Sequence, residues 1–288
     1  MKLKTILELF HTDLDATYGK NEVQSFFSLL MEHHLDLKPI ALVLNPELTI
    51  CDENYTVFND ALNRLKQEEP IQYIIGKTEF FGLPFKVNPH TLIPRPETEE
   101  LVDWIIKQPA IHNQQRNLLD IGTGTGCIAI SIAKQLLKTK IFALDVSEEA
   151  LKIAKQNAKQ NDVNIHFLKV DILNKAHWNL EFKDLEFDIM VSNPPYVREL
   201  EKLKMKDNVL KHEPELALFV DDNDPLIFYK TICEFAQQHL KSGGMLFFEI
   251  NQYLGDEMLQ LLKTYLFKNI ELKKDMFGND RMIKAVKG

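Results

Sequence analysis

Asn117-Leu118-Leu119-Asp120-Ile121-Gly122-Thr123-Gly124-Thr125-Gly126 is the stretch on which the fold turns. A short, largely apolar β-prone run leads straight into a loop with glycine at every second position, and an apolar helical pattern opens at Cys127. Downstream the alternation continues: helix Cys127 to Leu137, strand Lys140 to Leu144, helix Glu148 to Gln160 opened by Ser147 as N-cap, then strands Asn164 to Val170 and Phe187 to Ser192. Upstream, Leu101, Trp104 and Ile105 share one face of a helix over Glu97 to Lys107. Towards the C-terminus, helix Pro225 to Leu240 is expected to start with Asp224 as cap and Pro225 at its first position, ending near Gly243-Gly244. Strand Met245 to Ile250, helix Leu254 to Leu266 and two β runs, Asn269 to Lys273 and Arg281 to Val286, complete the pattern. Strands alternating with helices at this spacing predict an α/β fold with a parallel, doubly wound sheet. The last two β runs have no helix between them and should form an antiparallel hairpin at one edge.

The N-terminal region reads differently. Over residues 1–70, Val23, Phe26, Phe27, Leu30 and Met31 form one apolar stripe and Tyr55, Phe58, Leu62 and Leu65 another, which predicts a small helical bundle. Residues 71–96 carry short β-prone runs, Gln72 to Ile75, Glu79 to Phe81 and Phe85 to Val87, punctuated by Gly76, Gly82, Pro84 and Pro89. They read as a β-hairpin linker to the domain over 97–288.

Composition narrows the function classes. With 288 residues, 45% hydrophobic and 26% charged, the chain has the profile of a soluble globular protein. No apolar run is long enough for a membrane helix, and the first twelve residues lack a signal-peptide pattern, so a cytoplasmic protein is expected. Cys51, Cys127 and Cys233 lie far apart with no CxxC pair, which supports neither a disulfide framework nor a metal site, and small buried apolar roles are expected for them. The net charge of −8 is concentrated: residues 1–80 hold 7 Lys and Arg against 13 Asp and Glu. So acidic a first third argues against a nucleic-acid-binding module.

Ligands of an open parallel sheet bind beyond the carboxyl ends of its strands. There the first strand delivers Gly122-Thr123-Gly124-Thr125-Gly126, the second Asp145, the third Asp171, and the fourth Asn193-Pro194-Pro195-Tyr196. Glycines between a buried strand and a helix let a ligand approach the backbone near the helix N-terminus. The G-x-G-x-G spacing departs from the dinucleotide G-x-G-x-x-G, which would set its third glycine at Cys127, and no Lys-Ser/Thr pair follows as in a phosphate-binding P-loop. Asp145 is placed to accept hydrogen bonds from ribose hydroxyls.

Asn193-Pro194-Pro195-Tyr196 carries the strongest chemical signal. An amide or exocyclic amine is a poor nucleophile because its lone pair is delocalised. The Asn193 side-chain oxygen and a proline-region carbonyl can each accept one N–H of an –NH2 group and turn its lone pair toward an electrophile. The two prolines fix the local backbone, and Tyr196 offers a flat face for a planar group.

These residues resemble the class I S-adenosylmethionine-dependent methyltransferases that act on amino groups. Pro70-Ile71-Gln72-Tyr73-Ile74-Ile75-Gly76, Glu79-Phe80-Phe81-Gly82 and Leu92-Ile93-Pro94-Arg95-Pro96-Glu97-Thr98-Glu99 narrow the resemblance to the peptide chain release factor glutamine N5-methyltransferases, the HemK/PrmC family, over nearly the whole chain. That resemblance implies a Rossmann-like seven-stranded methyltransferase sheet and an N-terminal substrate-recognition domain. It implies methyl transfer from S-adenosylmethionine, with S-adenosylhomocysteine as product, to the glutamine amide in the Gly-Gly-Gln motif of class I release factors. Cofactor binding is then expected from Gly122, Thr123, Gly124, Thr125, Gly126, Asp145, Asp171, Ile172 and Asn193, with Ile172 in place of the aromatic that some members carry beside the adenine. Asn193, Pro194, Pro195 and Tyr196 are the expected catalytic and substrate-binding residues. Arg95 is expected to close the site mouth or fix the release factor, with a structural salt bridge as its other reading, and His212-Glu213-Pro214 reads as solvated within a substrate-facing lid. No metal, nucleic acid or membrane is expected, and the chain is taken as a monomer. A ribosomal-protein glutamine methyltransferase shares every motif, and a DNA or RNA amino methyltransferase shares Asn193 to Tyr196. Outside this chemistry stand a dinucleotide oxidoreductase and a non-catalytic cofactor-binding scaffold.

Overall fold

A computed structural model describes residues 1–109 and 115–288. Its contacts divide the chain into two units, residues 1–76 with 206–212, and residues 77–205 with 213–288.

The first unit is helical: α1 Leu3–Tyr18, α2 Lys20–Leu35, α3 Ile40–Leu44, α4 Asp52–Leu65 and α5 Ile71–Ile75, with the short helix Asp207–His212, α10 in chain order. The stripes legible in the sequence close one core, in which Phe27 meets Phe10 and Phe58 edge to face at 5.1 and 5.3 Å between ring centroids. Tyr18 donates its hydroxyl to the Leu65 carbonyl at 2.8 Å, tying the end of α1 to α4. Gln72 to Ile75 corrects the sequence reading: it is part of helix α5, not a β run. Gly76 ends that turn at φ +75°, returning its N–H to the Gln72 carbonyl at 2.8 Å, a left-handed cap that outweighs the β preference of the isoleucines.

The second unit begins with the hairpin β1 Lys77–Phe80 and β2 Leu83–Lys86, then α6 Pro96–Ile106. It continues β3 Arg116–Ile121, α7 Cys127–Gln135, β4 Thr139–Asp145, α8 Glu148–Gln160, β5 Ile165–Lys169, α9 Lys175–Glu181 and β6 Phe187–Ser192. After β6 come β7 Val197–Arg198, a 3-10 turn Glu199–Lys204, α11 Glu215–Leu218, β8 Phe219–Val220, α12 Ile227–His239, β9 Leu240–Glu249, α13 Gly255–Thr264, β10 Lys268–Lys274 and β11 Asp280–Val286. Seven strands form the main sheet in the order β10-β11-β9-β6-β3-β4-β5, with β9 through β5 parallel and β11 antiparallel to both its neighbours. The expected edge hairpin is there, with the last strand placed inside and β10 at the rim.

The strands read as continuous apolar runs because both faces are covered. Successive side chains alternate between two cores: Leu118, Ile141, Ala143, Ile189, Val191 and Phe247 face one, while Leu119, Phe142, Leu144, Met190, Leu246 and Phe248 face the other.

Two details differ from the sequence reading. Helix α12 starts at Ile227 without a side-chain cap; the Asp224 carboxylate instead takes Lys230 Nζ at 2.6 Å, and Pro225 lies in the turn before the helix. Gly243-Gly244 lies inside β9, where the register against β6 shifts between Phe187 and Ile189. Helix α9, unread in the sequence, is short and capped by the Asn174 side chain. Cys127 and Cys233 are buried as expected, but Cys51 is exposed, because it stands at the N-cap position of α4, outside the helix's buried face. No helix among the described residues is long and apolar enough to cross a membrane.

Candidate active site

Strand register aligns the ends of the parallel strands. Ile121 pairs with Leu144 and with Ser192, Ser192 pairs with Phe248, and Asp145 pairs with Lys169. One residue beyond the row formed by Ile121, Leu144, Ser192 and Phe248 stand Gly122, Asp145, Asn193 and Glu249. The backbone therefore delivers a glycine loop, two carboxylates and an amide to one edge of the sheet.

The loop is folded by its own hydrogen bonds. The Gly122 and Thr123 N–H groups both donate to the Leu144 carbonyl at 2.9 Å, and Gly126 N–H returns to the Thr123 carbonyl at 2.8 Å. Gly126 caps α7 at φ +82°, and a Cβ there would lie 2.9 Å from Ile130 Cδ1 and 3.3 Å from Ala154 Cβ; the third glycine is thus where α7 and α8 pack closely. At Gly122 and Gly124 a Cβ would meet nothing within 4 Å, so the first two glycines leave open space. That space belongs to a cavity of about 290 Å³.

Different strand ends supply much of the cavity wall. Asp145 accepts the Gly124 N–H on Oδ2 and the Ser147 N–H on Oδ1, both at 2.9 Å, bracing the loop against the start of α8. Burial holds its carboxyl above the usual carboxylate range. Asp171 accepts the Leu173 N–H at 2.9 Å, and the Ile172 carbonyl accepts Trp178 Nε1–H at 3.0 Å; Val170, Asp171 and Ile172 form one side of the cavity. Asn193, Pro194 and Pro195 form another. Ser192 Oγ donates to the Ile121 carbonyl at 2.7 Å and pins this turn to the glycine-loop strand. Asp120, just before the loop, is fully buried, accepts Thr123 Oγ1–H at 2.6 Å, and has its carboxyl pushed up to about 7 by burial.

Gly122, Thr123, Gly124, Thr125, Asp145, Asp171, Ile172, Asn193, Pro194, Pro195 and Arg95 all line this cavity. Gly126 supports the loop from behind. Tyr196 is placed differently from a free stacking platform: its ring packs against a sheet-face core and its hydroxyl donates to Glu249 Oε1 at 3.0 Å. Arg95 donates Nη2–H to Glu213 Oε1 at 2.5 Å, and Glu213 Oε2 accepts the Ile93 N–H at 3.3 Å. Glu213 is buried, not solvated as its sequence context suggested, because it ties the Ile93–Arg95 segment to the segment that brings Pro214, Leu216 and Ala217 to the cavity.

Three residues near the site have no role assigned from sequence, Thr98 standing there only as part of the linker motif. Glu249 obeys the same strand-end rule as Asp145, and a carboxylate in Met245-Leu246-Phe247-Phe248-Glu249-Ile250 was the visible signal. Thr98 hydrogen-bonds to it at 2.6 Å. Asn157 interrupts the otherwise apolar buried stripe of Ala150, Leu151, Ala154 and Ala158 on α8. Its amide donates to the Thr125 and Lys86 carbonyls at 3.0 Å and accepts the Lys86 N–H at 2.7 Å, clasping the glycine loop to the hairpin.

The family model described as "Methyltransferase small domain" matches residues 98–216, and "PrmC N-terminal domain" matches residues 14–76. A release factor glutamine methyltransferase of Flavobacterium psychrophilum is 51% identical over 99% of this chain and 99% of its own. One from Bacteroides thetaiotaomicron is 41% identical over 98% and 99%. The hMettl16 catalytic domain, solved in complex with a 3′UTR hairpin, shares the fold at a TM-score of 0.56 and 17% identity, covering 84% of this chain and 82% of that one. The chain belongs to the release factor glutamine methyltransferase family.

Proposed function

We propose that this protein transfers a methyl group from S-adenosylmethionine to the side-chain amide N5 of the glutamine in the Gly-Gly-Gln motif of class I peptide chain release factors. The carrying observation is that Asn193-Pro194-Pro195 and the glycine loop with Asp145 line one cavity, so an –NH2 acceptor and a nucleoside-bearing donor meet there. The residues fit the cofactor: backbone without side chains at Gly122 and Gly124 for its methionine part, the Asp145 carboxylate for its ribose, and the apolar Ile172 beside Asp171 for its adenine. When bound, it supplies a methyl group on an already electrophilic sulfonium.

The chain's own residues then have a positioning task. Asn193 Oδ1 and the Pro194 carbonyl each accept one N–H of the glutamine amide and aim its lone pair in line with the methyl group. Holding two reactants in that geometry supplies much of the acceleration. No strong base is needed, since the nitrogen becomes acidic on methylation and its proton then leaves to solvent. Arg95, fixed by Glu213 at the rim, shapes the entrance for the release-factor loop.

The helices of residues 1–70 serve recognition of the release factor, residues 71–96, which hold α5 and the β1–β2 hairpin, link them to the transferase, and residues 97–288 carry the chemistry. The acidic balance of residues 1–80 supports a protein partner over a nucleic acid. We take the protein to work as a cytoplasmic monomer. The test offers labelled S-adenosylmethionine with class I release factors, ribosomal proteins and oligonucleotides in one mixture. Label on the release factors is expected, and label confined to nucleic acid or ribosomal protein overturns the reading.

A further inference from the structure

One buried carboxylate organises the acceptor side of the site without reaching the cavity itself. Glu249, 1% exposed at the end of β9, accepts Thr98 Oγ1–H on Oε2 at 2.6 Å and Tyr196 O–H on Oε1 at 3.0 Å. Its backbone carbonyl accepts the Tyr229 hydroxyl at 3.0 Å. Burial pushes the Glu249 carboxyl up, while the Thr98 and Tyr196 hydroxyls and the Arg281 charge act in the opposite sense. With both oxygens accepting, the Thr98 hydroxyl proton is committed to Glu249. The Thr98 oxygen then has only lone pairs left for its other neighbour, Asn193 Nδ2 at 3.4 Å. An asparagine side chain carries a donor end and an acceptor end of nearly the same shape, and its hydrogen-bond partners decide which way it points. With Nδ2 engaged by Thr98, Oδ1 is the end left to receive a substrate N–H.

We propose that Glu249 and Thr98 are positioning residues that lock the Asn193 amide with Oδ1 presented to the incoming glutamine, an assignment that rests on the glutamine methyl-transfer reading above. A flipped Asn193 presents N–H groups to the substrate N–H groups, a donor-to-donor contact that turns the acceptor nitrogen away. Through its second oxygen the same carboxylate holds Tyr196, so both ends of the Asn193–Tyr196 segment are referred to one fixed point on β9. Thr98 stands in the first turn of α6, two residues after Pro96, so the linker motif and the acceptor motif meet through this hydroxyl.

Thr98→Val keeps the side-chain size and removes both hydrogen bonds, whereas Thr98→Ser keeps the hydroxyl. With a release factor as acceptor, Thr98→Val is expected to lower kcat by about 10- to 100-fold, the scale of loss when a group that orients the reactants is misplaced by about an ångström. KM for the release factor and the affinity for S-adenosylhomocysteine are expected to stay near wild type, and Thr98→Ser to restore most of the turnover. In an Asn193→Asp background the two side-chain ends are equivalent and neither donates to Thr98. Adding Thr98→Val there is expected to leave the residual turnover unchanged or raised. A Thr98→Val kcat within about twofold of wild type overturns the assignment; so does an equal loss in both backgrounds, or a loss of turnover that comes with loss of cofactor binding and is not rescued by serine. Wild-type protein that methylates no release factor overturns the underlying reading instead.

Discussion

Alanine at Gly126 should weaken the larger unit far more than alanine at Gly124, although both glycines belong to one loop. Both have positive φ, +82° and +54°, so either substitution forces an L-residue into the left-handed region, at roughly 1–2 kcal/mol. The surroundings separate them. A Cβ on Gly126 would lie 2.9 Å from Ile130 Cδ1 and 3.3 Å from Ala154 Cβ. The isoleucine tip can swing aside, but Ala154 is fixed on α8, so crowding adds roughly 1–3 kcal/mol. A Cβ on Gly124 meets nothing within 4 Å. The expected losses are therefore roughly 2–5 kcal/mol for Gly126→Ala and roughly 1–2 kcal/mol for Gly124→Ala. At roughly 2–4 °C per kcal/mol for a unit of this size, the melting point should fall by about 10 °C and about 4 °C, respectively. Both tryptophans, Trp104 and Trp178, lie in the larger unit, so tryptophan fluorescence reports its melting without interference from the helical one. Gly124→Ala should act on the ligand instead, since its methyl enters the cavity: calorimetric titration with S-adenosylmethionine should show affinity down by about tenfold or more, the equivalent of about 1.4 kcal/mol. Equal melting-point losses, or a larger one at Gly124, would refute this account of the loop.

Asn193→Ala should abolish methyl transfer while leaving S-adenosylmethionine affinity within a few-fold in calorimetry; unchanged turnover would remove Asn193 from its role. Asp120 sets a pH dependence: its carboxyl titrates at about 7 when folded against 3.8 as the ordinary value, so the folded state holds the extra proton between those limits. Stability should therefore fall as pH rises from about 4 to about 7, by up to about 4 kcal/mol from this group, and urea unfolding of Asp120→Asn should lack that slope. Glu213→Ala removes the acceptor of Ile93 N–H and Arg95, and hydrogen exchange should show the Ile93 amide losing protection while β3 amides keep theirs.

The sheet is legible in the sequence because burial on both faces writes its strands as apolar runs, and the site lies at the carboxyl ends of those runs. The glycine loop, Asp145, Asp171 and Asn193 all stand at such ends. Glu249 stands at such an end too, at the close of a strand whose pattern is otherwise apolar. The pairings were beyond the sequence: Thr98 and Glu249 are 151 residues apart, Arg95 and Glu213 are 118 apart, and only strand register and loop packing bring them together. Local misreadings had local causes. The isoleucines of Ile71–Ile75 favour strand, but the Gly76 cap closes a helical turn; Asp224 is a good cap residue, but Lys230 engages its carboxylate. Tyr196 shows how a residue type can fit two tasks, since a flat face and a hydroxyl serve stacking or packing equally until Glu249 is in view.

The most direct test of the methyl-transfer reading is to locate the methyl group. After reaction with S-adenosylmethionine, a class I release factor would be digested and the peptide bearing its Gly-Gly-Gln motif sequenced by tandem mass spectrometry. A single methyl group on the glutamine side-chain amide is expected, and none on a release factor whose motif glutamine is replaced by alanine. Methylation at any other residue, or equal labelling of the alanine variant, would contradict the reading.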